Sequence, residues 1–339
     1  MVIIDHLVKT LVVHSGFRNA AVIAFTSHIG HVGVLAFFVH TSLVLMYSVE
    51  RLSRSEDQVS LRFYIRRFFR IYPLAIFVIL LAVTLHIPQS PFGGLVLNAP
   101  RVVLSNLMLV QNIFGKDSVL GPLWSLPYEV QMYIVLPALY LLTQRKHAVL
   151  YLCGLFLFFV SFGFLLFSRT SHLNMAAYVP CFLSGVICYS LKDRLPAFAP
   201  SALWPAFVLA LIGCYCITNS GSEPNFWIGW LFCLLLGLAI NAFRDSANQP
   251  LNAVAEKVAL YSYGIYLNQI PVLYLVFMVL GIRNKILGSA LFLVVTMVAA
   301  AITYHLIESP CIRLGKRISA KLVLAPVLRP ASVDAGSSR

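Results

Sequence analysis

The sequence predicts an all-α fold, a polytopic membrane helix bundle, on three observations. Hydrophobic residues make up 60% of the 339-residue chain and charged residues only 11%, with a mean hydropathy of +0.85; soluble domains carry about 25% charged residues. Apolar runs recur from end to end, each near the twenty or so residues that a roughly 30 Å hydrocarbon core demands. Cationic side chains gather in every second connection between those runs, as the positive-inside rule expects.

Complete spans are expected at about 32–50, 71–88, 126–143, 148–167, 173–191, 202–219, 225–242, 259–281 and 287–307. Pro137, Pro180 and Pro271 lie inside them and predict kinks where neighbouring groups satisfy the freed carbonyls. Ahead of the first run, Met1-Val2-Ile3-Ile4 is too short to cross and reads as the last turn of a span that begins upstream. About ten transmembrane helices, the first incomplete, would put both termini in the cytoplasm. A genuinely short N-terminus is one alternative, and a first span at about 7–27, interrupted by Lys9 and Arg18, is another. Residues 89–125 form the longest polar connection, with Val102 to Val110 as a short interfacial helix. Residues 1–318 read as one membrane domain, and residues 319–339 as a disordered cytoplasmic tail rich in Pro, Ala, Ser and Gly.

Orientation follows from charge. Arg51, Arg54, Arg62, Arg66, Arg67 and Arg70 fall between the first two complete spans, and Arg313, Lys316, Arg317 and Lys321 follow the last. Arg145 with Lys146, Lys192 with Arg194, and Arg244 with Lys257 occupy every second loop between, so these segments and the C-terminus belong in the cytoplasm. The net charge of +13 therefore points to membrane lipid and not to nucleic acid, because no basic domain stands apart. Seven cysteines lie mostly inside apolar runs with no zinc-site spacing, and no metal is expected.

Two stretches carry candidate chemistry. Arg66-Arg67-Phe68-Phe69-Arg70 places three cations at a span entrance, where guanidinium forks suit phosphate groups; positive-inside charge and lipid contact are the plainer reading. Trp124-Ser125-Leu126-Pro127-Tyr128-Glu129 leads into Tyr133, and Ser125, Glu129 and Tyr133 recur every four residues on one helix face. A carboxyl at the outer edge of a span points to function, although Glu129 could instead pair with a buried base. His40, inside an apolar run, reads as a packed core histidine.

Together these blocks resemble the acyltransferase 3 family of bacterial integral-membrane O-acyltransferases. Gly33-Val34-Leu35-Ala36-Phe37-Phe38-Val39 is similar to the family's GVDLFFVLSG segment, with His40-Thr41-Ser42 in place of its end. Tyr64 to Pro73 resembles its F-x-x-R-R-x-x-R-I-x-P block, and Trp124 to Glu129 its W-S-L-x-x-E. Ser262-Tyr263-Gly264-Ile265-Tyr266-Leu267 and Ile307-Glu308-Ser309-Pro310 complete the set, with Gln269 where many relatives carry a histidine.

The resemblance implies acyl transfer, in the first instance of acetyl, from cytoplasmic acyl-CoA to a hydroxyl of an envelope or exported polysaccharide or its lipid-linked precursor, at the bacterial inner membrane. Acyl-CoA is the donor substrate, and no further cofactor is implied. His6 and Glu129 become the expected catalytic pair, toward the outer side; Arg67 and Arg70 bind the donor, while Arg62 and Arg66 are left to topology; Trp124, Ser125, Tyr133 and Tyr266 contact substrate. The family pattern sets an arginine before the histidine with ten residues between them, and for His6 that arginine would precede Met1. Arg18 to His28 is the rival pairing, but its ten steps leave the side chains about 80° apart on a helix; His31 is a further alternative. A secondary transporter of a small anion, or an inactive truncated family member given Gln269, are the rival functions.

Overall fold

The computed structural model describes residues 1–14, 19–55, 58–89, 99–167, 175–219 and 225–321. Among them each apolar run read from the sequence falls on a helix, and the protein is an all-helical, multi-pass membrane bundle. The helices are α1 (Val2–His14), α2 (Ala20–Ser55), α3 (Val59–Thr84), α4 (Pro100–Leu107), α5 (Leu126–Thr143), α6 (Ala148–Phe167), α7 (Met175–Leu191), α8 (Trp204–Thr218), α9 (Phe226–Ala242), α10 (Gln249–Leu273), α11 (Lys285–Thr303) and α12 (Ser309–Lys321). Six of the described helical runs are long and apolar enough to cross a membrane, while α7 and α9 are shorter apolar helices. Asparagine caps start three helices: Asn225, Asn248 and Asn284 accept the backbone N–H groups of Trp227, Leu251 and Leu287, satisfying donors that a helix start leaves over.

The N-terminal segment is not part of one span at 7–27. Instead α1 and α2 run antiparallel, because Gly30 abuts Asp5 while Gly33 abuts Met1. A Cβ at Gly30 would sit 2.6 Å from Asp5 Oδ2, and one at Gly33 would sit 2.8 Å from Met1 Cβ, so glycine is what lets the two backbones close. Close approach recurs where α7 crosses α2: a Cβ on Gly185 would overlap Ser42 Oγ and the Val39 carbonyl. Gly185→Val should therefore cost about 1–3 kcal/mol of overpacking. The check is the thermal unfolding midpoint in detergent, and an unchanged midpoint would refute this packing argument.

Residues 99–125 do not simply lie along the membrane surface. In place of the expected interfacial helix at 102–110, α4 ends at Leu107 and turns Ser105 and Asn106 inward. Asn106 donates to the carbonyls of Val102 and Asp117 and accepts from Val119 N–H, closing the loop on itself. Gln111 donates to Leu123 O, Asn112 and Gln131 exchange amide hydrogen bonds, and Tyr72 of α3 donates to Met108 O. Buried polar backbone is tolerated in a membrane protein when it is satisfied in this way. The docked loop delivers the 3₁₀ turn Gly121–Trp124 and the head of α5 into the bundle.

The last helices form one rod. From Lys285 to Lys321 the chain is helical for 37 residues, about 55 Å at 1.5 Å per residue, so it outreaches the hydrocarbon core. A π-helical turn at Tyr304–Glu308 joins α11 to α12, and α12 lies on α3 with Gly315 against Phe69. Helix α12 carries past the expected domain boundary at 318 to Lys321; the remainder of the expected tail, 322–339, lies outside the described residues.

Candidate active site

At the arginine end, α2, α3, α10, α12 and the π-helical turn at Tyr304 line a cavity of about 570 Å³. Its cations are Arg51 from α2, Arg66, Arg67 and Arg70 from α3, and Lys316 from α12, with no carboxylate among its described lining residues. Spacings of three and four put the α3 arginines on adjoining helix surface, and each is held differently. Arg70 Nη1 lies 2.9 Å from Glu308 Oε2, a carboxylate with no side-chain exposure. Arg66 Nε donates to Ser319 Oγ at 3.1 Å. Arg67 reaches Ser48 Oγ at 3.3 Å and stacks 5.7 Å from the Phe63 ring centroid, while its Nε is buried without a hydrogen-bond acceptor. Guanidinium groups gathered in this way have the chemistry to pair with an anion. The sequence paired only Arg67 and Arg70 for this role, whereas the structure adds Arg66, Arg51 and Lys316 to the same chamber.

Behind the arginines lies a buried polar partition. Tyr133 donates to Glu129 one turn away on α5, and Glu129 feels the charges of Arg67 and Arg70. Tyr263 donates to Ile71 O at 2.7 Å, with the Arg70 guanidinium 5.9 Å above its ring. Tyr64 of α3 donates to Ile134 O at 2.8 Å, so α5 runs beside the arginine-bearing turns of α3. Glu129, in the first turn of α5, is buried in the bundle and lines a second cavity.

That second cavity, about 240 Å³, has Val2, Val34, Phe37 and Leu126 as its apolar wall and Ser125, Glu129, Ser262, Tyr263 and Tyr266 as its polar groups. Ser125 Oγ and Tyr266 Oη are 2.8 Å apart, and Tyr266 Oη donates to Pro122 O at 2.6 Å, leaving the serine hydroxyl to donate to the tyrosine. His6 sits one helical turn from Val2, beside Gln269 of α10. Its Nδ1 is buried without a hydrogen bond, and its Nε2 lies 4.0 Å from Asp5 Oδ2, to which Lys9 Nζ donates at 2.9 Å.

Ser125, Glu129, Tyr133 and Tyr266 are therefore brought together, and His6 adjoins them. Trp124 faces elsewhere. Its ring stacks on His31 with centroids 6.2 Å apart and contacts Tyr128 and Tyr178, while His31 Nδ1 is 2.7 Å from Tyr215 Oη. His28 is buried on the same helix; Arg18, its proposed partner, lies outside the described residues. The sequence reading gave no role to Glu308, Tyr263 or Lys316. The Ile307-Glu308-Ser309-Pro310 and Ser262-Tyr263 blocks held a signal for the first two, whereas Lys316 looked like any basic residue after a last span.

Comparison with known proteins adds the following. A family profile described as an acyltransferase domain matches residues 1–305. The chain is similar to the acyltransferase MdmB of Streptomyces mycarofaciens, at 26% identity over 340 residues, covering 85% of this chain and 83% of that protein. No solved structure matches.

Proposed function

The chain belongs to the acyltransferase 3 family, a membrane acyltransferase by that membership, and from this premise we propose that it moves an acetyl group from cytoplasmic acyl-CoA to a hydroxyl of an envelope or exported polysaccharide or its lipid-linked precursor. The observation that carries this reading is the pair of cavities, one cationic and one lined by hydroxyls, linked through Glu129 and Tyr263 of the second, which interact with Arg67 and Arg70 of the first. The CoA phosphates would lie in the chamber of Arg51, Arg66, Arg67, Arg70 and Lys316, where charge-assisted hydrogen bonds are strongest. Positive-inside charge supports a cytoplasmic position for that chamber and the C-terminus, and family membership supports a bacterial inner membrane.

His6 would act as general base. Its neutral imidazole removes the acceptor hydroxyl proton as the new C–O bond forms and the thioester C–S bond breaks. The proton then passes to the departing thiolate, so CoA leaves as a free thiol. Only the acyl group passes the partition. Glu129, with Tyr133 donating to it, would orient the groups around the reacting carbonyl. Ser125 and Tyr266 offer hydroxyls to the acceptor.

Membranes carrying the chain should transfer label from acetyl-CoA to glycan as an alkali-labile ester, with one free thiol released per ester. Thiol release without ester, or solute uptake without CoA consumption, would sink the proposal.

A further inference from the structure

The Gln269 carboxamide is one of the least explained groups in the protein. It is fully buried on α10, at 0% exposure. Its Nε2 donates to Tyr266 O one turn back at 2.9 Å, which fixes the plane of the amide and turns the oxygen the other way. That oxygen, Oε1, is buried and has no hydrogen-bond donor within normal geometry. An acceptor stranded in an apolar interior forfeits its solvation without return, so the position needs a reason.

The reason lies across the α1–α10 contact. His6 faces Gln269 closely enough for the two side chains to interact, and His6 Nδ1 is the matching orphan, also buried without a hydrogen bond. Each group lacks what the other has. Val2 and His6 lie one turn apart on α1, and Ser262, Tyr266 and Gln269 share one face of α10. The pair therefore sits directly beyond the end of the cavity that Val2, Ser262 and Tyr266 line. The charged groups acting on His6 among the described residues are Asp5 and Lys9, both on α1; from α10 it meets only a neutral amide.

We infer that Gln269 is a positioning residue for His6: its carbonyl oxygen accepts the Nδ1 proton, fixing the tautomer in which Nε2 carries the lone pair and holding the ring against the end of the hydroxyl-lined cavity. The amide suits this task because it accepts a hydrogen bond without bringing a charge, so the imidazole is oriented and stays neutral. Tyr266 becomes part of the same device, since its backbone anchors the amide while its hydroxyl meets Ser125. The inference rests on His6 acting as the base, and the test separates the two.

The experiment compares His6→Ala, Gln269→Leu and Gln269→Glu with the parent chain in native membranes. The readouts are kcat, KM for acetyl-CoA, and the pH profile of kcat. Gln269→Leu should lower kcat about 10- to 100-fold, the loss of one buried hydrogen bond at the reacting base, with donor KM unchanged. Its acid limb should also move to lower pH, because the acceptor that favours the protonated ring is gone. Gln269→Glu keeps the shape and should move the limb to higher pH, since a facing carboxylate favours the imidazolium. A Leu variant with parental kcat and profile overturns the inference, as does a Glu variant with a parental profile, which decides alone if the Leu protein fails to accumulate. Transfer that survives His6→Ala overturns the underlying reading of the base, independently of anything at Gln269.

Discussion

His6→Ala should lower acyl transfer by about 10²- to 10⁴-fold, the span that a positioned general base contributes. The loss falls on kcat. Donor binding should be untouched, because the cationic chamber is lined by α2, α3, α10, α12 and the π-helical turn, and α1 supplies none of its lining. Folding is also preserved, since α1 is held on α2 by the close fit of Asp5 against Gly30 and Met1 against Gly33, neither of which involves the imidazole. The sensitive control is His28→Ala. His28 is buried on α2, on the far side of the Gly30 contact in sequence, and lines neither cavity. Its variant should retain transfer within a few-fold. Measured side by side with labelled acetyl-CoA, the opposite pattern, with His6→Ala active and His28→Ala dead, would move the base to α2 and leave the chamber assignment standing.

The fold was legible because a bilayer imposes length and composition on every span, and both are local properties of sequence. The apolar runs at 126–143 and 225–242 fall on α5 and α9 with ends displaced by at most a residue. What composition could not show was reversal and depth. Lys9 and Arg18 looked like interruptions of one span, yet α1 folds back on α2 through glycines that carry no hydropathy signal. The 89–125 connection read as a polar stretch carrying a short interfacial helix. Among its described residues the Asn106 and Gln111 side chains satisfy the loop backbone and Asn112 pairs with Gln131 of α5. Within the site, helical spacing sufficed to join Glu129 to Tyr133, four residues apart. It could not join Arg70 to Glu308, separated by 238 residues, nor rank the arginines, because their difference lies in what each one touches.

That difference yields the sharpest separation of structure from binding. Arg70→Ala strips Glu308 of its partner and leaves a carboxylate with no side-chain exposure and one oxygen already without a hydrogen bond. Breaking a buried pair from one side costs about 3–5 kcal/mol, against which Glu308→Gln in the same chain should restore much of the loss. The π-helical turn that carries Glu308 joins α11 to α12, so the single variant should also loosen α12 from α3. Arg67→Ala behaves oppositely. Among the described residues Arg67 forms no close ion pair with a carboxylate, reaching Ser48 and the Phe63 face and acting on Glu129 through charge alone, so its removal should cost less stability than that of Arg70. It should instead raise KM for acetyl-CoA about 10- to 100-fold, the worth of a charge-assisted hydrogen bond to a phosphate. Thermal midpoints and donor titrations on Arg70→Ala, Arg70→Ala with Glu308→Gln, and Arg67→Ala decide the matter. The double variant should recover its midpoint while still binding donor poorly, because the chamber has lost one cation whichever way Glu308 is neutralised. A double variant that regains both midpoint and parental KM would reduce Arg70 to a structural counter-ion and leave the anion to Arg51, Arg66, Arg67 and Lys316.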